Sequence, residues 1–227
     1  MSADTRIGLL GGTLDPVHVG HLETASAARR ALQLDCVYML PSNIPPHRTQ
    51  QPAASSHHRF AMTALAVNGV DGLRASDLEL SAPGPSYTAE TLTRFSQRTG
   101  FGASQIFFIT GADAFAEIET WYRYPDVLDL ANFIVVSRPG FAVEALRDRL
   151  PSLVGRMTNA DARQAEARSQ QQPEASRHRI FLVNATTPEV SSSDIRQRLA
   201  ARRSIAGLVP ATVERHIAQH RLYVDQA

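Results

Sequence analysis

Residues 6–21 read Arg-Ile-Gly-Leu-Leu-Gly-Gly-Thr-Leu-Asp-Pro-Val-His-Val-Gly-His, and this stretch decides how the chain begins to fold. A short apolar run ends in the pair Gly11-Gly12, and a helix-like pattern begins around His18 and His21. Glycines let the backbone approach an anion closely, and the start of a helix offers unpaired N–H groups and a partial positive charge. Because strand, glycine turn and helix start follow one another here, the stretch predicts a nucleotide-binding site in an α/β fold.

The two histidines of this stretch are its most chemically specific feature. His18 and His21 lie three residues apart, which on a helix places both rings on one face, within reach of the same ligand. A metal ion is an alternative ligand, but a zinc site needs a third or fourth protein ligand. The neighbouring sequence offers only Asp15, while Cys36 belongs to an apolar run that continues to Leu40. The pair is therefore interpreted as directed at phosphates, with no protein-held metal; ordinary surface histidines remain the other alternative.

Composition bounds the class of protein. The 227 residues are 43% hydrophobic and 20% charged, which suits a single domain spanning 1–227 with a full core. A net charge of +1 marks neither a general nucleic-acid binder nor a membrane-surface protein. One cysteine cannot form an internal disulfide, residues 1–5 lack the apolar segment of a signal peptide, and no run reaches membrane-spanning length. We expect a cytoplasmic protein; its oligomeric state, including a homo-oligomer, stays open.

Apolar segments alternate with helical patterns along the chain. Strands are predicted at Ile7–Leu10, Cys36–Leu40, Leu73–Ala75, Gln105–Ile109, Phe133–Val136 and Arg179–Val183. Helices are predicted at Val19–Gln33, Ser56–Val67, Thr88–Thr99, Tyr124–Leu130 and Ala142–Leu150. Strands that are apolar on both faces and joined by helices favour a mostly parallel sheet with helices on both sides.

Four motifs follow predicted strands directly, and they begin at Gly11, Pro41, Gly111 and Ser137. In open parallel sheets, ligands bind beyond the carboxyl ends of the strands, at the switch in strand order. The four motifs are therefore expected to converge on one edge of the sheet. Ser42–Ser55, which holds three prolines, is predicted to be a long mobile loop over that edge. Residues 161–177 nearly lack large apolar side chains and are predicted to be a solvated insertion.

A second phosphate-binding site is predicted near the C-terminus, where residues 191–194 read Ser-Ser-Ser-Asp and a helix pattern begins. Hydroxyl side chains cap free N–H groups, so an ordinary capped helix is the simpler interpretation. Arg196 favours a phosphate site over an ordinary capped helix. A guanidinium one turn into the helix can donate two hydrogen bonds to phosphate oxygens beside the serine hydroxyls. Helices at Asp194–Ala201 and Pro210–Gln219 would pack this element, residues 191–227, onto the main sheet.

At this point the chain resembles a known family. Residues 11–21 are similar to the GGTFDPxHxGH signature of the nucleotidyltransferase superfamily with a His-x-Gly-His motif, although Leu14 replaces the usual Phe. Later segments resemble bacterial nicotinate-nucleotide adenylyltransferases, and they occur in that family's order: 41–48, 86–88, 111–113, 121–122, 137–140 and 190–196. In the last of these, Val190 and Ser193 replace the family's Ile and Thr. The resemblance implies a Rossmann-like sheet with helices on both faces and a small C-terminal helical element.

The implied reaction joins ATP and nicotinate mononucleotide to give nicotinate adenine dinucleotide and pyrophosphate, within NAD biosynthesis. By resemblance, His18, His21 and Arg196 are the expected catalytic residues, with the C-terminal serines gripping the β- and γ-phosphates opposite the histidines. Mg²⁺ is expected to bridge the triphosphate, since it is usually held by phosphates and waters with few protein ligands. The full set expected to bind ATP is Gly11, Gly12, Thr13, His18, His21, Gly111, Asp113, Ser191, Ser192, Ser193 and Arg196.

The predicted binding site for the acceptor, nicotinate mononucleotide, depends more on the resemblance than the ATP site does. It implies that Trp121 stacks on the pyridine ring, and that backbone N–H groups around Tyr122 and Thr88 hold the nicotinate carboxylate. The full set expected to bind nicotinate mononucleotide is Asn43, His47, Arg48, Tyr87, Thr88, Trp121, Tyr122 and Arg138. Three members have a structural alternative: a core position for Trp121, and loop-surface polarity for His47 and Arg48.

Three competing functions stay open at this stage. A sibling transferase would use the same nucleotide seat for phosphopantetheine or another phosphorylated acceptor. A non-catalytic nucleotide sensor could share the fold, because a fold does not fix a function. A dinucleotide-dependent dehydrogenase is the weakest alternative, since the glycine pattern lacks G-x-G-x-x-G.

Overall fold

The computed structural model describes residues 5–46, 51–82, 84–160 and 178–224, and within these ranges the chain forms one seven-stranded parallel sheet. The strands, in chain order, are β1 Ile7–Gly12, β2 Cys36–Pro41, β3 Leu73–Ala75, β4 Ile106–Gly111, β5 Asn132–Val136, β6 Met157–Asn159 and β7 Ile180–Val183. The α-helices are α1 Val19–Leu32, α2 Ser56–Val67, α3 Thr88–Thr99, α4 Ala112–Phe115, α5 Leu146–Arg149, α6 Ser192–Ala200 and α7 Ala211–Gln219. Short 3₁₀ turns supplement them.

The strand order explains where a ligand site must lie. The order across the sheet is β3-β2-β1-β4-β5-β7-β6, so the chain moves outward from β1 to β3 and then returns to the other side of β1. All described strand pairs run parallel, with Ile7 opposite both Cys36 and Ile106. The reversal falls between β1 and β4, and in such sheets the crevice beyond the carboxyl ends at the reversal accepts ligands. The glycine turn after β1 lies at this point.

The centre of the sheet is buried on both faces, because alternate residues of the central strands enter different cores. Phe133 and Val135 of β5 belong to one apolar cluster, and Ile134 and Val136 belong to the other. Side chains of successive strand residues point to opposite faces, so a strand covered on both sides becomes apolar throughout. Helices α3, α4 and α5 contribute to the first cluster, and α1, α2, α6 and α7 contribute to the second. The N-terminal and C-terminal helices therefore share one layer.

Most element predictions are confirmed, and two helix predictions are wrong. Helices Ser56–Val67 and Thr88–Thr99 have the predicted bounds, and the small C-terminal helical element is present. The predicted helix Tyr124–Leu130 is instead a 3₁₀ turn at Asp126–Asp129, with Leu128 N–H donating to the Pro125 carbonyl at 3.0 Å. The preceding residue Arg123 has a positive φ of 64°, so the chain enters this segment from a turn.

The predicted helix Ala142–Leu150 is likewise broken into a 3₁₀ turn, Val143–Ala145, and the short α5. Strand β6 has no counterpart among the predictions. The predicted insertion at 161–177 lies outside the described residues. No helix in the described ranges is long and apolar enough to cross a membrane.

Candidate nucleotide site

The turn after β1 places two histidine rings against each other. His18 lies at the N-cap of α1 in an extended conformation, and its backbone N–H donates to Nδ1 of His21 at 3.3 Å. The two rings are stacked, with centroids 3.7 Å apart. Because His21 accepts through Nδ1, its neutral ring carries the proton on Nε2 and can donate it from there. We call residues 13–21 the histidine turn.

Gly20 allows a close approach within the histidine turn. A Cβ atom at this position would lie 3.1 Å from Nδ1 of His18 and 3.0 Å from Cγ1 of Val190. Any side chain here would displace the His18 ring or separate the turn from residue 190. The glycine therefore sets both the ring position and the contact with the C-terminal part of the chain.

Both histidines are neutral at pH 7 in the ligand-free protein. Burial lowers the pKa of His18 to about 4, with a smaller contribution from the positive charge of Arg138. Burial also lowers the pKa of His21 well below its usual value, assisted by His18 and Arg138. His18 is 1% exposed, and its Nδ1 has no hydrogen-bond partner in the protein. The turn thus combines one buried nitrogen that has no protein partner, His18 Nδ1, with a ring N–H of His21 that can donate to a nearby anion.

The C-terminal motif lies directly against the histidine turn. Arg196 Nη1 donates to the backbone carbonyl of Asp15 at 2.7 Å, across 181 positions of sequence. Ser192 Oγ donates to the carbonyl of Pro16 at 2.9 Å, and Arg196 Nη2 donates to Oγ of Ser193 at 3.2 Å. Ser191 caps α6 by accepting from the N–H of Asp194 at 3.1 Å. The structure therefore brings the two predicted phosphate segments together.

A cleft of about 540 Å³ adjoins this junction. Its walls come from the carboxyl ends of β4 and β5 and from the segment before α6: Asp113, Arg138, Pro139, Gly140, Phe141, Pro188, Glu189, Val190, Ser191 and Asp194. Arg138 Nη1 lies 3.4 Å from Oδ2 of Asp113. A Cβ at Gly111 would come within 2.5 Å of Asp113 Oδ1 and 2.8 Å of Arg138 Cδ, so a side chain there would displace these two cleft residues.

The predicted acceptor residues form a separate aromatic group. The rings of Tyr87 and Tyr122 lie 4.6 Å apart, and Tyr122 is 48% exposed. Thr88 is the first residue of α3, directly after Tyr87. Trp121 is half-buried, with its ring 6.0 Å from Phe108 in an edge-to-face contact. Trp121 thus packs partly on the core, as its structural alternative predicts, while Tyr122 presents a ring to solvent.

The structure describes two of the remaining candidates for acceptor binding and leaves two outside the described residues. Asn43 is fixed beside the 86–88 motif, with its N–H donating to Ser86 Oγ at 2.8 Å and its amide Nδ2 donating to the Ala82 carbonyl at 3.0 Å. His47 and Arg48 lie outside the described residues. Arg138, a candidate for the mononucleotide phosphate, lines the cleft together with the predicted ATP residues Asp113 and Ser191.

Arg59 is a residue that sequence reasoning missed. Its guanidinium is 1% exposed and donates to the carbonyls of Thr13, Ser42, Asn43 and Ala54, at 2.9, 2.5, 3.2 and 3.2 Å. Burial lowers the pKa of Arg59, although the nearby Asp15 charge opposes that effect. Arg59 therefore braces the histidine turn against the loop after β2. A signal existed: Arg59 occupies the same helix face as the buried residues Met62, Thr63 and Ala66.

Glu79 is a second buried charge near the site. It is 5% exposed, its Oε1 accepts from Thr91 Oγ1 at 2.9 Å, and its Oε2 has no partner in the protein. Burial raises the pKa of Glu79, opposed by hydrogen bonds from Ser86 and Thr91. A Cβ on Gly11 would lie 3.8 Å from this carboxylate, so Glu79 lies beneath the glycine turn.

Comparison with known proteins identifies the class to which this fold and this pair of adjoining segments belong. Residues 9–198 match the family described as cytidylyltransferase-like, and the chain therefore belongs to this family of nucleotidyltransferases. The fold is similar to a solved structure of the Plasmodium falciparum nicotinic acid mononucleotide adenylyltransferase complexed with NaAD. That similarity has a TM-score of 0.71 at 16% identity, over 96% of this chain and 97% of that one.

Two curated relatives narrow the class. A protein of Desulfatibacillum aliphaticivorans is 38% identical over 96% of this chain and 100% of its own length. One from Shewanella frigidimarina is 33% identical over 96% of this chain and 99% of its own length. Both carry the name "Probable nicotinate-nucleotide adenylyltransferase". Within the larger family, the chain belongs with the nicotinate-nucleotide adenylyltransferases.

Proposed function

We propose that this enzyme transfers the adenylyl group of ATP to the phosphate of nicotinate mononucleotide, releasing pyrophosphate and forming nicotinate adenine dinucleotide. The observation that carries the proposal is the junction of the histidine turn with the C-terminal motif, where Arg196 donates to the Asp15 carbonyl beside His18 and His21. The site thus gathers donors and positive charge, as a reaction between two anions requires. Because ATP is the donor substrate, we place this reaction in the cytoplasm.

The reaction needs little from the protein beyond the positioning of its two substrates. An oxygen of the mononucleotide phosphate attacks the α-phosphorus of ATP, a P–O bond forms, and the bond to the pyrophosphate leaving group breaks. Phosphate monoesters lose their second proton near pH ~6, so the nucleophile is mostly dianionic at neutral pH and requires no general base. Catalysis then consists of aligning two anions and stabilising the charge that moves onto pyrophosphate.

The residues of the site divide between these tasks. Nε2–H of His21 would donate to a phosphate oxygen, and the Arg196 guanidinium would stabilise the charge of the leaving pyrophosphate. The hydroxyls of residues 191–193 and the backbone N–H groups of Gly12 and Thr13 would add further donors. We place Arg138 on the ATP side, because it lines the same cleft as Asp113 and lowers the pKa values of both histidines. Asp113 would accept hydrogen bonds from ribose hydroxyls.

The donor chemistry of the site fits a Mg²⁺ ion carried by the substrate. The carboxylate within the histidine turn, Asp15, is engaged by the N–H groups of Ala53 and Ala54 and by the Tyr223 hydroxyl. Triphosphate oxygens and waters would therefore hold the ion, as is usual for Mg²⁺ with nucleotides. When bound, Mg²⁺ would neutralise part of the charge on the β- and γ-phosphates.

The acceptor is recognised, in this proposal, by the aromatic group at Tyr87, Trp121 and Tyr122. A pyridine ring would stack on an aromatic face, and backbone N–H groups around Thr88 and Tyr122 would bind its carboxylate. The corresponding carboxamide presents an NH₂ group to those donors, and that mismatch leaves buried donors unpaired. The enzyme should therefore prefer nicotinate over nicotinamide mononucleotide.

Turnover with paired acceptors tests the proposal. We would measure dinucleotide and pyrophosphate formation from ATP with nicotinate mononucleotide, nicotinamide mononucleotide and phosphopantetheine, and repeat the series with CTP. The expected result is multiple turnover with ATP and a clear preference in kcat/KM for the nicotinate acceptor. Activity only with phosphopantetheine would indicate a sibling transferase, and nucleotide binding without pyrophosphate release would indicate a sensor. Equal kcat/KM for the two pyridine acceptors would overturn the assigned specificity.

A variant pair separates the acceptor side from the ATP side. Tyr122→Ala should raise the KM for nicotinate mononucleotide roughly tenfold, because an aromatic pair contributes about 0.5–1.5 kcal/mol beyond its buried area. The KM for ATP should stay unchanged, and Tyr122→Phe should retain most of the affinity.

A further inference from the structure

Three histidines outside the nucleotide site converge where the C-terminal helix packs on α2. His58 lies in the first turn of α2, His216 lies within α7, and His220 is the C-cap of α7. One nitrogen from each ring can be chosen so that all three lie within 4.8 Å of one another. His58 Nδ1 and His216 Nε2 are 3.1 Å apart. We call these residues the histidine triad.

The backbone around the triad is fixed by packing. His216 and His220 are four residues apart, so they share one face of α7. The buried residues Val213 and Ile217 join α7 to the same apolar cluster as α2, and Thr212 Oγ1 donates to the Leu65 carbonyl at 3.1 Å. The packing of α7 against α2 therefore brings the three rings together.

The spacing suits a first-row transition metal. Two imidazole nitrogens bound at 2.0–2.1 Å to a tetrahedral zinc ion lie about 3.3–3.4 Å apart. The observed 3.1 Å differs from that by a few tenths of an ångström. His58 and His216 are half-buried and His220 is exposed, so the longer separations can close by side-chain rotation and an ion can enter from solvent. Neutral imidazoles favour zinc, copper or nickel over Mg²⁺ and Ca²⁺, which prefer oxygen ligands.

We propose that His58, His216 and His220 bind one divalent transition-metal ion of the zinc class, with water completing the coordination, and that the ion fastens α7 to α2. Both joined elements lead to Asp15 of the histidine turn. Tyr223, which follows α7, donates to Oδ1 of Asp15, and the N–H groups of Ala53 and Ala54, which precede α2, donate to the same carboxylate. The ion would thus stabilise the C-terminal segment without touching substrate.

The test uses full-length protein that carries no polyhistidine tag and has been freed of metal with a chelator. Titration with ZnCl₂ should show one equivalent bound per chain, and Co²⁺ should give the visible absorption of tetrahedral nitrogen coordination. Zinc at about a hundred times its Kd should raise Tm by roughly 5–10 °C, as expected for a ligand that binds the native state alone. His220→Gln, an exposed position, should weaken zinc binding at least tenfold, and His58→Gln should do the same.

His57→Gln is the matched control, because His57 is exposed and adjacent to His58 but lies outside the triad. It should leave both the affinity and the Tm shift unchanged. The proposal fails if no equivalent binds, or if the triad variants bind zinc like the wild type. It also fails if binding is lost in a His18→Asn/His21→Asn variant and kept in the triad variants. Binding at the triad without a rise in Tm would refute the fastening role.

Discussion

The phenol oxygen of Tyr223 lies 2.8 Å from Oδ1 of Asp15, and this hydrogen bond joins positions 208 residues apart. Asp15 is 1% exposed, and it also accepts from the N–H groups of Ala53 and Ala54 at 2.8 and 3.0 Å. Burial and the neighbouring Asp15 charge raise the pKa of Tyr223, so the phenol stays protonated and donates. One buried carboxylate therefore connects the histidine turn, the chain before α2 and the C-terminal segment.

Replacing Tyr223 should destabilise the protein without removing a substrate contact. Tyr223→Phe leaves the buried Asp15 carboxylate with two backbone donors, and a hydrogen bond to a charged group contributes about 1.5–3 kcal/mol. The free energy of unfolding in urea should fall by about 2 kcal/mol. Tyr122→Phe, which removes the hydroxyl of a tyrosine that is 48% exposed, serves as the control and should leave stability unchanged. Equal stability of the Tyr223→Phe variant and the wild type would contradict this role.

Arg196 should matter more for the rate than for folding. Loss of one charge-stabilising donor typically costs ~3 kcal/mol, or about 10²–10³ in rate, so Arg196→Ala should lower kcat/KM for both substrates by that factor. Arg196→Lys should recover part of the loss, because lysine keeps the charge but not the forked geometry. Arg203→Ala changes an exposed arginine just beyond α6 and should behave like the wild type. Wild-type kcat/KM in Arg196→Ala would refute the assignment.

The buried histidines should make the ligand-free protein sensitive to acid. The pKa of His18 is about 4 in the folded protein and near 6.5 when unfolded, so the unfolded state binds the proton more readily between these values. Stability is therefore complete above pH 6.5 and declines as the pH falls toward 4, by about 3 kcal/mol for His18 alone. Urea unfolding of wild type and His18→Gln from pH 7.5 to 4.5 measures the effect. The variant should show the shallower slope, and identical slopes would exclude His18 as the cause.

Arg59 should prove more important for stability than any exposed arginine. Arg59→Met retains an unbranched stem but removes the guanidinium, and it leaves four backbone carbonyls without their donor. A buried polar group left without a partner typically costs about 1–3 kcal/mol, so with four carbonyls affected we expect a loss of at least about 3 kcal/mol together with a higher KM for ATP. Arg74→Met, at an exposed position of β3, is the control. A variant that unfolds at the wild-type urea concentration would show that the carbonyls find other donors.

The sequence was a good guide where the physical cause is local. The helix bounds Ser56–Val67 and Thr88–Thr99 follow from capping signals and spacing, and they are correct to the residue. The predictions at Tyr124–Leu130 and Ala142–Leu150 failed because short segments adopt the turn that their surroundings require. The edge strand Met157–Asn159 exists through its pairing with Ile180–Val183, and no single segment encodes that pairing.

The site shows the same division between local and long-range causes. The histidine turn could be interpreted from sequence, because a glycine pair, a helix start and two histidines at helical spacing act within sixteen residues. That Arg196 lies near the histidines could be inferred only through the family resemblance, and its contact with Asp15 is seen only in the structure. Glu79 escaped notice because its burial depends on elements that are distant in sequence, whereas the position of Arg59 on the buried face of α2 was a local signal that was overlooked.

What the sequence determined by itself is therefore the alternation of strands and helices, the glycine turn after the first strand and the family to which the chain belongs. Only the tertiary structure decided which distant groups meet: Tyr223 with Asp15, Arg59 with four carbonyls, and three histidines between two helices. The reason is physical. Local patterns act through the backbone of a few neighbouring residues, whereas these contacts arise when burial of apolar faces packs helices from both ends of the chain into one layer.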